Sequence, residues 1–268
     1  MKRLLCCTLL ACAVLLPLAA QAGRLRMATT TSTLDSGLLT VLDPPFEKLT
    51  GLTVDVIAVG SGKAIKLGEN GDVDIVFVHD RKAEDRFIAQ GFGVNRRDVM
   101  HNDFVLVGPP DDPARITGET SAVAAFTKIA AAGSAFVSRG DASGTNAKEL
   151  DIWSQAGLKP QGRWYKDAGQ GMGEVLVMAN DLRAYTLSDR GTWLAMKAKL
   201  PGLAILAQGD PVLFNPYGVI AVNPQKHPGV NYMAAMQYIA WVTSVEGQRI
   251  IRDYAVDGQA LFTPDVIR

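Results

Sequence analysis

The chain has 268 residues, 48% of them hydrophobic and 20% charged, an ordinary globular composition long enough for one large domain or two modest ones. Its 27 basic residues balance its 27 acidic ones, and no basic stretch or stripe is visible, which argues against nucleic acid as a partner.

Residues 1–22 differ from the rest. A positive start, Lys2-Arg3, precedes the apolar run LLCCTLLACAVLLPLAA and then Ala20-Gln21-Ala22, an A-x-A cleavage site, so this stretch reads as a secretory signal peptide cut before Gly23. The run is short for a membrane span of ~20 residues, and lipid attachment at Cys12 would leave most of it on the wrong side of the cysteine. Cleavage removes Cys6, Cys7 and Cys12, the chain's three cysteines, and leaves a net charge of −2. The mature protein then has no disulfide, no thiolate nucleophile and no cysteine-based metal site. It must rest on a packed core, which suits a bacterial periplasm better than a small extracellular scaffold.

After the leader, short β-branched runs alternate with helical ones. RLRMATTT, LTVDVIAVG, VDIVFVH and NDFVLVGPP read as strands, and residues 36–48, 62–69 and 81–90 as helices. Pro44-Pro45 predicts a kink or a second short helix inside the first of these. GPPDDPARITGETSA, at 108–121 or so, is a Pro/Gly/Asp-rich break. A second α/β run follows it: a helix in TSAVAAFTKIAAAG, a strand in AFVSRG, and a helix in SGTNAKELDIWSQAG. Then come a helix in GMGEVLVMANDL, a strand in AYTLSD, and a helix in GTWLAMKAKL stopped by Pro201-Gly202. DPVLFNPYGVIAVNP leads back as a strand, and helices near 229–243 and 245–254 close the chain. This order predicts two α/β lobes with a parallel or mixed sheet, joined by crossings near 108–113 and 212–216, with a ligand cleft at the strand ends.

Three strand–helix junctions carry the candidate chemistry. The first, GSGKA at 60–64, has the look of a nucleotide-binding loop. The pattern G-x-x-x-x-G-K-[ST] nevertheless fails twice, because Ile57 stands where the first glycine belongs and Ala64 where the magnesium-binding hydroxyl belongs. What remains is a strand end followed by a helix start, with unpaired N–H groups and the Ser61 hydroxyl; Ser61 as a plain helix cap is the simpler alternative. The second junction, Thr29-Thr30-Thr31-Ser32-Thr33, holds five hydroxyls where one suffices for a cap, with Asp35 close by. In the third, FVSRGDASGTNAKEL, Arg139 ends a strand and Ser143-Gly144-Thr145 opens a helix. Arginine offers a planar, permanent charge suited to oxyanions, and Asp141 would either hold that fork or accept a proton from a protonated ligand. A closing cleft around a small anion explains all three junctions together.

Enzyme readings find less support. His79, His101 and His227 stand apart from one another, and the chain contains neither H-E-x-x-H nor G-x-S-x-G. A Ser-His-Asp triad needs no local spacing; His79, after a strand and beside Asp80, is the histidine to watch for one, with a structural role as the simpler alternative.

At these residues the chain resembles a known family. TTTSTLDSGLL, AVGSGKAIKLGENGDVDIVFVHD, VMHNDFVLVGPPDDPA, SRGDASGTNAKELDIW, GQGMGEVL, YTLSDRGTW and LFNPYGVIAVNP, in this order from about residue 26 onward, are similar to blocks of the tungstate-binding proteins of ABC importers. The resemblance implies a type II periplasmic-binding-protein fold, two α/β lobes with mixed sheets joined by a two-stranded hinge. One lobe would be 23–108 with 215–268, the other 109–214. It implies capture of tungstate, or molybdate, and delivery to a membrane permease with its ATPase, by a periplasmic monomer without cofactor or enzymatic activity. Carried over residue by residue, the family's oxyanion ligands fall on Thr30, Thr31 and Ser32, on Ser61, Gly62 and Lys63, and on Arg139 with Ser143, Gly144 and Thr145. Many relatives have threonine where this chain has Ser61, and the hydroxyl is kept. The Arg-x-Asp-x-Ser-Gly-Thr pattern is also similar to one in phosphate-binding proteins, so phosphate stays open as the ligand. A secreted anion-binding protein that serves a sensor is the remaining alternative.

Overall fold

Period-2 alternation in the strands sorts the chain into two packed faces. The computed structural model describes residues 23–267, and the signal-peptide expectation at 1–22 lies outside them. The first half of the chain runs β1 (Arg24–Thr30), α1 (Thr31–Asp35), α2 (Leu39–Thr50), β2 (Thr53–Val59), α3 (Ser61–Asn70), β3 (Ile75–Val78), α4 (Arg81–Ala89) and the long β4 (Gly93–Gly108). Next come α5 (Ala122–Ala132), β5 (Phe136–Ser138), α6 (Gly144–Gln155), β6 (Tyr165–Asp167), α7 (Met172–Leu182), β7 (Thr186–Asp189), α8 (Arg190–Met196) and β8 (Ala204–Ala207). The chain closes with β9 (Phe214–Val222), α9 (Tyr232–Val242), α10 (Val245–Asp253) and the two-residue strands β10 (Ala255–Val256), β11 (Gln259–Ala260) and β12 (Thr263–Pro264).

The main sheet has the order β12-β4-β9-β3-β1-β2, mixed in sense: β1 is parallel to β2 and β3, and β9 antiparallel to β3 and β4. All four residues of β3 are buried, as expected of a strand covered on both faces. Ile75 and Phe77 join Leu25, Met27, Leu42 and Phe46 under α2 and α9, while Val76 and Val78 join Ala28, Ala64, Ile65 and Phe87 under α3 and α4. Between the two faces the strand ends are left open toward one edge, where the helices begin.

β4 sets the architecture. Over Gly93–Asp103 it pairs with β9, and over Phe104–Gly108 it pairs with β7 and β8. One continuous strand therefore exchanges partners between Asp103 and Phe104, ahead of the Pro/Gly-rich break at 108–121. The segment between β4 and β9 has its own core, in which Phe126, Phe136 and Trp153 meet with ring centroids 4.4–5.5 Å apart.

Three local expectations change. The hydroxyl run is not a turn only, since Thr31–Asp35 forms the short α1. α2 runs through Pro44 and Pro45 without splitting into two helices, because its buried Leu39, Leu42 and Phe46 outweigh two missing N–H groups. β4 begins at Gly93, ahead of the Asn102 at which the expected strand NDFVLVGPP starts, and β6 and β8 are added by pairing rather than by pattern.

Asp43, in the middle of α2, is 7% exposed and accepts from Tyr238 Oη (2.7 Å). Burial pushes its pKa up to about 6; the Tyr238 bond opposes this and Glu47 adds to it. The folded state thus keeps the proton to higher pH than the unfolded chain, so this residue's contribution to stability is present in acid and lost as pH rises to about 6. Asp43→Asn, which keeps the acceptor without the charge, is expected to gain on the wild type between about pH 4 and 6 and then level off about 1–3 kcal/mol more stable. Urea unfolding across that range measures the difference, and a constant gap at all pH values contradicts it.

Candidate functional site

Several helices start at one place, most of them directly from a strand end. β1 passes into α1 at Thr30, β2 into α3 at Gly60, β5 into α6 through 139–143, and β7 into α8 at Asp189, while α7 starts after Gly171. The first N–H groups of a helix have no partner inside it. Thr30 Oγ1 accepts from Thr33 N (3.1 Å), Ser143 Oγ from Asn146 N (3.2 Å) and Asp189 Oδ2 from Thr192 N (2.8 Å). α3 and α7 follow glycines, Gly60 and Gly171, and have no side-chain cap. Gly62 N of α3 is taken by Ala142 O (3.3 Å) and Gly173 N of α7 by the Asp35 carboxylate, which leaves the other first-turn N–H groups at the positive end of each helix.

Arg139 is the centre. Its side chain is 1% exposed, and its Nη2 donates to Asp141 Oδ2 (2.6 Å) and Thr31 Oγ1 (2.9 Å). Nη1 donates to Ser32 Oγ (3.0 Å) and reaches Thr145 Oγ1 at 3.5 Å, while the buried Nε has no partner. Asp141 Oδ1 accepts from Ser143 N (3.1 Å), so both carboxylate oxygens hold the loop and the fork. The loop bends sharply, with Gly140 at φ 59° and Ala142 at φ 56°; a left-handed alanine is strained, and such strain collects at functional sites. Behind it, Glu149 of α6 accepts from Ser138 Oγ (2.7 Å), Tyr165 Oη (2.7 Å) and Trp153 Nε1 (3.0 Å), which locks the helix to the strand that ends at Arg139.

The five-hydroxyl run resolves into separate tasks. Thr29 Oγ1 donates to Phe77 O (2.7 Å) and fixes β1 to β3; Thr30 caps α1 and meets Thr33 Oγ1 (2.7 Å); Thr31 and Ser32 accept from Arg139. Thr31 also lies beside α7, since a Cβ built on Gly171 would stand 3.5 Å from its Oγ1.

Ser61 is not a cap. It is the first residue of α3, and its Oγ accepts from Gly144 N (3.0 Å), across from the other part of the chain. Gly62 N donates to Ala142 O (3.3 Å). Of the ten residues expected here, Thr30, Thr31, Ser32, Ser61, Arg139, Ser143, Gly144 and Thr145 come together as buried or half-buried groups, and Gly62 joins through its backbone. Lys63 departs from the expectation: it is exposed, and none of the site's hydrogen bonds uses it. Lys63 is the third residue of α3 and lies on its exposed side with Gly62 and Lys66.

The sequence reading missed Asp189, Thr192, Asn102 and Asn215. Asp189 is fully buried; burial raises its pKa, and the Thr192 bonds, the charge of Arg139 and the Ser32 hydroxyl pull against that. Thr192 Oγ1 donates to Asp189 Oδ1 (2.8 Å) and lies 3.3 Å from Ser32 O. The aspartate that ends AYTLSD, three residues before a threonine, is a cap signature that was legible. His79 is buried beside the site, with Nε2 3.1 Å from Thr30 Oγ1 and Nδ1 2.9 Å from Asn215 Oδ1. Burial pushes its pKa down to about 4; the Asn215 bond opposes this and the charge of Arg139 adds to it.

A buried guanidinium among hydroxyls and uncapped helix starts is equipped to hold an anion. The PBP superfamily domain model matches residues 18–246. The chain belongs to that superfamily. The crystal structure of the tungstate ABC transporter from Geobacter sulfurreducens is 61% identical, with a TM-score of 0.79, over 86% of this chain and 98% of that one. The tungstate-binding protein TupA of Desulfovibrio alaskensis G20 is 45% identical, with a TM-score of 0.76, over 91% of this chain and 99% of that one. The TupA tungstate-binding protein of Peptoclostridium acidaminophilum is 47% identical over 250 residues, 92% of this chain and 87% of the relative. The resemblance to tungstate-binding proteins and the type II fold it implied are both borne out.

Gly144 shows how closely the two parts approach. A Cβ there would stand 3.0 Å from both His79 O and Ser61 Oγ. Gly144→Ala is expected to destabilise the protein by about 1–3 kcal/mol through overpacking. Hydrogen exchange should quicken around 61–64 and 142–147 and stay unchanged in α5, and uniform quickening across both regions would contradict a local wedge.

Proposed function

We propose that the protein is an extracytoplasmic solute-binding protein that captures tungstate or molybdate between two lobes and delivers it to the permease of an ABC importer. It works as a monomer in the periplasm, by capture and release, with no bond made or broken and no cofactor. The names of its relatives support tungstate, and one observation supports the site: Arg139 is buried with an unpaired Nε–H, among hydroxyls from the other part of the chain. An unpaired buried donor on a charged group costs ~1–3 kcal/mol or more, which a bond to an oxyanion recovers. Thr31, which accepts from Arg139, keeps its own hydroxyl hydrogen to donate, and the starts of α3 and α7 add N–H groups.

A dianion can be buried only if nearly all its oxygens are paired, at about 1.5–3 kcal/mol per charge-assisted bond. Several such donors support nanomolar binding, roughly −12 kcal/mol. Fully deprotonated tungstate needs donors alone. Phosphate brings a proton at neutral pH and needs an acceptor; Asp141 accepts one bond on each oxygen, from Arg139 and from Ser143 N, and keeps a lone pair on each. The names of the relatives favour tungstate over the phosphate reading.

The lobes in this reading are those expected from the sequence, with one refinement. The first crossing falls at Asp103/Phe104, where β4 changes partners, and the second at Phe214, the residue paired with Asp103. Residues 104–108 then move with the second lobe.

A thermal-shift series on residues 23–268 with tungstate, molybdate, sulfate and phosphate tests the assignment. A ligand at 1,000 times its dissociation constant should add ~4 kcal/mol of stability. We expect that gain with tungstate or molybdate and little with sulfate or phosphate; a shift with phosphate alone would move the protein to the other reading. Arg139→Ala should weaken tungstate binding at least ~100-fold, the equivalent of about 2.7 kcal/mol. A change under about threefold by calorimetric titration would remove Arg139 from the ligand shell.

A further inference from the structure

We infer that His79 is the positioning residue of the anion loop: it accepts the Thr30 hydroxyl hydrogen and ties the β1–α1 turn to the strand pair at which β4 changes partners. The inference deepens the oxyanion reading and rests on it.

The proposed direction of donation rests on the orientation of two amides. Asn215 Nδ2 donates to Asn102 Oδ1 (2.7 Å), which turns its own Oδ1 toward His79 Nδ1 at 2.9 Å. An amide oxygen only accepts, so in this arrangement Nδ1 carries the ring hydrogen. The imidazole is buried, stacked on Tyr217 at 4.6 Å and kept neutral by that burial, so Nε2 presents a lone pair. The bond between Nε2 and Thr30 Oγ1 (3.1 Å) therefore takes its hydrogen from Thr30. Thr30 Oγ1 also accepts from Thr33 N (3.1 Å) and from the Thr33 hydroxyl (2.7 Å). One hydrogen given and two lone pairs filled exhaust a hydroxyl. Thr30 has nothing left for a ligand, and its place is in the scaffold. Thr31 and Ser32, the next two residues, are thereby held where Arg139 reaches them.

The other end of the network lies at the strand crossing. Asn102 and Asn215 are register partners on β4 and β9, two residues before β4 takes up β7. The His79 carbonyl borders the same space, 3.0 Å from a Cβ built on Gly144. A histidine that merely filled the core would be replaceable by an apolar side chain at a cost in stability alone. A histidine that orients Thr30 must be replaced by another acceptor at the Nε2 position, and glutamine supplies one.

The experiment compares wild type, His79→Leu, His79→Gln and Asn215→Ala by calorimetric titration with sodium tungstate, alongside their thermal unfolding. We expect His79→Leu to weaken binding ~30-fold or more and His79→Gln to recover about tenfold of that, with Asn215→Ala between them, as for members of one hydrogen-bond network. Binding within about threefold of wild type in His79→Leu, or a glutamine variant no better than leucine, overturns the proposal. The ring-nitrogen spectrum of the unsubstituted protein decides independently of any variant's folding: the Nδ1–H tautomer supports the network and the Nε2–H tautomer overturns it. Failure of the wild type to bind tungstate would instead sink the oxyanion reading, while the tautomer would still decide the hydrogen-bond direction at His79.

Discussion

Burial of one permanent charge organises this protein. Arginine cannot shed its proton at any working pH, so a guanidinium at 1% exposure must be compensated by what surrounds it. Asp141 supplies the opposite charge, but it lies two residues away and reaches the fork only because Gly140 and Ala142 take left-handed conformations. The remaining donors need acceptors that add no second negative charge, and hydroxyls meet that need. Thr31 and Ser32 do so from a helix of only five residues, which would not hold by itself. It is held by the Thr30 cap, by Thr29 on Phe77 O, and by the imidazole behind them. The threonine-rich opening is thus less a row of ligands than a small scaffold that presents two of its members.

The fold delivers these groups because strands end where helices begin, and the same edge of the sheet collects both. β1 and β2 run parallel, so their following helices start side by side. β4 and β9 run antiparallel over nine residues or more and carry the chain across to the second set of strands. A connection made of two paired strands differs from a flexible linker: it allows bending about a line while keeping the register that brings Gly144 against Ser61. Asn102 and Asn215 sit on that line, and hydrogen bonds run from Asn215 through His79 to Thr30 of the β1–α1 turn.

Much of this was legible, and for physical reasons. Strand-to-helix junctions announce themselves by glycine and hydroxyls, because both satisfy or expose first-turn N–H groups, and 29–33, 60–62 and 139–145 were read on that basis. Nearly every long element was found from periodicity. What was missed depends on tertiary pairing. Residues 93–101 alternate imperfectly and carry Arg96, Arg97 and Asp98, so they look like a loop until β9 lies alongside. β6 and β8 are three and four residues long, too short to show a period. Lys63 came by carry-over with the family's second loop, and its side chain is exposed; a glycine-lysine pair does not say on which side of a helix the lysine falls. Asn215 and Asn102 carried no signal, because an amide inside a strand acquires meaning only from what it faces across 113 residues.

Enclosure of the site also limits how strongly its two sides can hold each other. Arg139 is covered in this arrangement, so in the proposed reading an anion reaches it only when the parts of the chain separate, and each contact across the gap must be breakable. The contacts have that character. Gly144 N to Ser61 Oγ and Gly62 N to Ala142 O are neutral bonds worth about 0.5–1.5 kcal/mol each. Lys82 Nζ to Asp151 Oδ1 (3.1 Å) is an exposed pair worth ~0–1 kcal/mol. The Arg139 bonds are charge-assisted, as are Lys82 to Asp151 and Arg190 to Asp103 (2.5 and 2.7 Å), but in the proposed reading Arg139 is the cation that meets the anion. A ligand can shift such an equilibrium by no more than its preference for one arrangement over the other. In the proposed reading that preference rests with the bonds the anion itself makes at Arg139, and closure that depends on the anion allows both tight capture and release when the two parts are drawn apart.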